Sequence, residues 1–207
     1  MTGMHKLGLV LAGALTAVTL LLLAGGVFLR NTRGLSAREQ PGTLEKWMAR
    51  QARALAVPKD ARNRENPVAD SPQVQTDARA HWADHCAGCH ANNGSGDVEM
   101  GKHMYPPAPD MRQSETQQLT DGELFFAIQN GIRMTGMPAW GSGSQHDEQD
   151  SWKLVRFIRH LPQLTAAEER EMQALNPKSP DELKEEQEER DFLNGDQSHE
   201  HTEHHHH

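Results

Sequence analysis

Leu7 to Leu29 (LGLVLAGALTAVTLLLLAGGVFL) is an uncharged run of 23 residues. As an α-helix it would measure roughly 34 Å, against a hydrocarbon core of about 30 Å. The run is longer than the apolar core of a cleaved leader, and no good A-x-A site follows it. The pattern predicts an uncleaved, membrane-spanning anchor over residues 1–30. Residues 31–76 read as a stalk. In it Thr43 caps a short helix with Leu44, Trp47, Met48, Gln51 and Leu55 on one face, and Pro58 ends that helix. The run KDARNRENPVADSPQVQ carries Pro67 and Pro72 and no apolar period, so it reads as extended linker.

Helical spacing dominates residues 77–163, and no convincing strand is seen. Ala78, Trp82 and Cys86 recur four apart on one face. Thr120 and Glu123 form a capping box ahead of Leu124, Phe125 and Ile128, and Gly131 stops that helix. Ser144 opens a further helix carrying Trp152, Leu154, Val155, Phe157, Ile158 and Leu161, which Pro162 closes. Residues 164–207 form a charged tail with capping boxes at Thr165/Glu168 and Ser179/Glu182. Pro180 sits at the favoured first helical position, and the chain ends SHEHTEHHHH.

Charge narrows the range of partners. The chain carries 29 acidic and 21 basic residues, a formal net charge of -8, which argues against nucleic acid. A mean hydropathy of -0.75 with 5% aromatic residues suggests that much of the chain lies outside a packed core.

Cys86-Ala87-Gly88-Cys89-His90 carries the chemistry. Its cysteines are the two in the chain, and C-x-x-C-H is the attachment motif for haem c. Two thiols three residues apart on a helical turn can reach both vinyl groups on one porphyrin edge, and the next residue offers its imidazole to the iron. A thiol redox centre would want a preceding strand, and a structural zinc site would want four ligands. For the sixth ligand the chain offers Met100, Met104, Met111, Met134 and Met137. Met137 stands out because glycine before it and proline after it hold an irregular loop. His103 and His146 fit solvated surface better than ligation. Trp140, just beyond the methionine, is placed to pack on the haem edge or to donate to a propionate. Trp82 and Trp152 suit the crossing of the first and last helices.

With CAGCH and TGMPAW together, residues 77–163 resemble class I c-type cytochromes. The loop YPPAPDM and the segments DGELFFAIQNGIRMTGMPAW and WKLVRFIRHLP resemble bacterial membrane-anchored mono-haem members. The resemblance implies an all-α fold around one haem c held covalently by Cys86 and Cys89, with His90 and Met137 as axial metal ligands. It also implies a proline carbonyl, at Pro106 or Pro107, accepting a hydrogen bond from the second nitrogen of His90. The expected role is single-electron transfer between membrane or periplasmic donor and acceptor proteins, with no catalytic residues. Arg30, Arg33 and Arg38 beyond the anchor run against the usual positive-inside bias. Haem c is attached after export, so the domain is placed on the periplasmic side. A five-coordinate haem enzyme is the rival reading, which Met137 opposes. The terminal histidines are candidate ligands for copper, nickel or zinc.

Overall fold

The computed structural model describes residues 2–31, 36 and 38–193. The histidine-rich end lies outside the described residues, and with it the expected copper, nickel or zinc site. Among the described residues the chain is all helix, with no strand. The apolar run forms α1 (Thr2–Asn31). From His5 to Arg30 it is long and apolar enough to cross a membrane, and none of that window is buried.

α2 (Thr43–Ala56) begins one residue earlier than its expected cap allows. Gly42 is the N-cap, without a side-chain hydrogen bond, and Thr43 is the first helical residue. The polar run after Pro58 differs from the expected extended linker. It forms the short α3 (Lys59–Arg62) and continues as a strap across the domain. Thr120 Oγ1 donates to the Arg62 carbonyl at 2.8 Å, and Asn66 Nδ2 donates to the Trp152 carbonyl at 2.9 Å. Arg156 Nε donates to the Val68 carbonyl at 2.8 Å. The Arg64 guanidinium lies 4.5 Å from the centre of the Phe125 ring, a cation–π contact.

The core is a set of packed helices. α4 (Pro72–His81) starts five residues ahead of the expected Asp77, because Ser71 Oγ accepts from the Val74 N–H and Pro72 occupies the first helical turn. A π-helical turn, Trp82–Cys86, leads into α5 (Ala87–His90). Short helices α6 (Glu99–His103) and α7 (Ser114–Gln117) follow, then α8 (Asp121–Asn130), α9 (Gln145–His160) and a 3₁₀ turn at Leu161–Gln163. α4 packs most extensively on α9. Just beyond α4, Trp82 meets Phe157 of α9 edge-on, ring centres 5.4 Å apart. Trp152 instead stacks on Phe125 of α8 at 4.0 Å. Trp82, Val155, Phe157 and Leu161 are almost wholly buried, each such side chain contributing about 1.5–3 kcal/mol.

The boxes at α8, α10 (Ala166–Gln173) and α11 (Pro180–Leu193) form as the spacing predicts. α10 is no loose tail, since its Met172 is fully buried in the same core. Arg79 of α4 pairs with Glu168 at 2.8 Å. α11 buries nothing.

Candidate functional site

The C-x-x-C-H segment is shaped by what precedes it. Across the π turn the Ala87 N–H donates to the Trp82 carbonyl, five residues back. The extra residue in the turn breaks the four-residue register expected for Ala78, Trp82 and Cys86. Ala78 and Trp82 are buried, whereas Cys86 is half-buried at the surface of the core. α5 then sets Cys86, Cys89 and His90 on about one turn. Ala91 ends it at φ 60°, ψ 160°, a conformation an alanine rarely holds. That geometry is held by Trp82 Nε1, which donates to the Ala91 carbonyl at 3.0 Å, and by the Gly96 N–H on the His90 carbonyl at 2.9 Å.

Burial sets the protonation of all three residues. It pulls the His90 imidazole down to about 4, leaving it neutral near pH 7 with a lone pair for a metal. Burial, with Cys89 beside it, pushes the Cys86 thiol up to about 12. Burial also raises Cys89. Both thiols are free. His90 is 8% exposed, and its Nδ1 is buried with no hydrogen-bond partner. The carbonyls of Pro106 and Pro107 therefore do not accept from it here. That stretch is tied elsewhere, with the Tyr105 hydroxyl donating to Glu45 and the Ala108 N–H to the Gly101 carbonyl at 2.9 Å.

The methionine loop is a closed turn. The Ile132 N–H donates to the Met137 carbonyl at 3.1 Å. Thr135 Oγ1 donates to the Ile132 carbonyl at 2.7 Å and accepts from the Met137 N–H at 3.1 Å. Met137 is half-buried, whereas Met134, at φ 63°, is 91% exposed. Beyond the loop, Trp140 comes within 5.7 Å of the ring of His85, the residue before Cys86. The residue before the C-x-x-C-H turn thus lies beside the tryptophan that follows the methionine loop.

Other sulfurs lie beside one motif or the other. Met100 Sδ is 3.4 Å from Cys89 Sγ. Met104 packs so closely on the loop that a Cβ built on Gly136 would lie 2.5 Å from its sulfur. Met111 packs against the core. His103 and His146 are exposed beside Glu99 and Asp150. Thr135 was not legible as a loop fastener, because a hydroxyl two residues from a methionine has many uses.

A neutral buried imidazole with an unpaired nitrogen, on the same turn as two free thiols, is a donor set that fits haem c. Residues 73–158 match the family described as cytochrome c oxidase, cbb3-type, subunit III. No curated protein matches the chain. The all-helical core, the C-x-x-C-H turn and this match make residues 73–158 a class I c-type cytochrome domain, a haem-binding module for electron transfer.

Proposed function

We propose that the chain is a membrane-tethered mono-haem cytochrome that passes single electrons between membrane or periplasmic redox partners. Cys86 and Cys89 would hold haem c through thioether bonds, and His90 and Met137 would supply the iron's protein ligands. The observation that carries this reading is the buried, neutral His90 on the turn that bears both thiols. The haem supplies a one-electron couple, whose potential His/Met ligation raises. The chain's own part is to present ligands that do not move. Trp82 fixes the backbone after His90, and Thr135 holds the Met137 amide. With both His90 and Met137 on the iron, oxygen or peroxide would find no open site, which favours a carrier over an enzyme. α1 is the tether, and the domain lies outside the cytoplasm because haem c is attached there. Trp140, beside the motif and 40% exposed, offers an edge at which a partner can dock.

The test is the visible spectrum of the ferric, haem-loaded protein in the red region where methionine–iron charge transfer absorbs. A weak band is expected, lost in Met137→Ala and kept in Met104→Ala. A high-spin spectrum without that band in the wild type would mean an open iron and a catalytic or sensing role.

A further inference from the structure

α2 turns its apolar side away from the domain. Leu44, Trp47, Met48 and Leu55 are 68%, 58%, 53% and 86% exposed, and no residue of the helix is buried. At about 100° per residue these four share one arc, with Lys46, Arg50 and Arg53 off it. Polar atoms hold the helix to the domain. The Glu45 carboxylate accepts from the Tyr105 hydroxyl, Arg50 faces Glu115 at 3.8 Å, and the Ala54 carbonyl accepts from Arg62.

Charge is sorted along the chain. Residues 30–56 hold Arg30, Arg33, Arg38, Lys46, Arg50 and Arg53 against Glu39 and Glu45, whereas the whole chain is at -8. This basic excess lies directly beside α1. Eleven residues separate Asn31 from Thr43. Fully stretched they would span at most about 40 Å, so α2 stays close to any bilayer that α1 spans.

We infer that α2 lies in the surface of that bilayer, with Leu44, Trp47, Met48 and Leu55 among the upper acyl segments and Lys46 and Arg53 toward anionic headgroups. The inference rests on α1 being the tether. A second copy of the helix would bring like charges together, whereas an anionic lipid surface matches both the apolar arc and the basic excess. Adsorption also orients the haem site. Glu45 bonds Tyr105, and its neighbour Met104 packs on Gly136, next to Met137. The methionine loop is thereby fixed relative to the membrane plane.

The test uses the full haem-loaded chain in vesicles of phosphatidylglycerol and phosphatidylethanolamine, with acyl chains brominated near the headgroup. Trp47 emission is taken as the difference between wild type and Trp47→Phe. It is expected to be quenched by the brominated lipid. Quenching is expected to vanish in the Leu44→Glu, Leu55→Glu double variant, which still floats with the vesicles through α1. Flotation without quenching of wild-type Trp47 overturns the inference alone, and so does quenching that survives the double substitution. Failure of the wild type to float overturns the tether and this inference with it.

Discussion

Gly131 takes φ 66° where α8 ends, a region that suits glycine. It also leaves no room, since a Cβ there would lie 2.6 Å from the Pro138 carbonyl carbon and 2.8 Å from the Met137 oxygen. Those neighbours are backbone and cannot swing aside. Gly131→Ala is expected to shift the whole methionine loop, weakening the red charge-transfer band and lowering the thermal midpoint. Thr135→Val keeps the volume but removes both hydroxyl bonds, and should cost about 1–3 kcal/mol by urea titration. The band should persist in weakened form, because the Ile132–Met137 backbone bond remains. An unchanged urea midpoint would deny Thr135 its fastening role. At this scale the sequence named Gly131 as a helix stop and Met137 as a loop methionine, since both signals are local. It could not show that Gly131 and Met137 touch.

α10 reads as a charged surface helix, AAEEREMQ, yet its one large apolar side chain is fully buried. Met172→Ala should destabilise the domain by about 2–5 kcal/mol, far more than a solvated tail would allow. Glu168 gives an independent check. Burial pushes its carboxyl up, but the Thr165 amide and hydroxyl and His160 outweigh this and hold it below its ordinary 4.5. A depressed carboxyl stabilises the fold above its unfolded pKa, and that contribution is lost as pH falls from 4.5 through the lower folded value. The gap in urea midpoint between wild type and Glu168→Gln should therefore be present at pH 6 and close in stronger acid. A gap that ignores pH would place the effect elsewhere. Three capping boxes were legible because each joins a side chain to backbone three residues away. The burial of Met172 was not, because a single methionine makes no period. The π turn at Trp82–Cys86 was equally hidden, since its extra residue breaks the register that periodicity reads.

Across the whole molecule the net charge of -8 sets how it meets redox partners. Reduction of the haem-loaded protein by a small cationic reductant should slow as salt is raised, and by an anionic one should quicken. Equal salt dependence for both would mean that the acidic surface lies away from the haem edge. The strap over residues 57–71 has another bearing on the molecule. It holds α8 and α9 through main-chain carbonyls at Arg62, Asn66 and Val68, and through the side chains of Arg62, Arg64 and Asn66. A Cβ on Gly122 would sit 2.0 Å from the Ala61 carbonyl oxygen. Where the strap binds through its main chain the side chains there are free to drift during evolution, while Arg64, Asn66 and the residues that receive the strap are constrained. Related domains that keep glycine at the position of Gly122 and arginine at that of Arg156 should wear such a strap even where much of its own sequence outside Arg64 and Asn66 has changed.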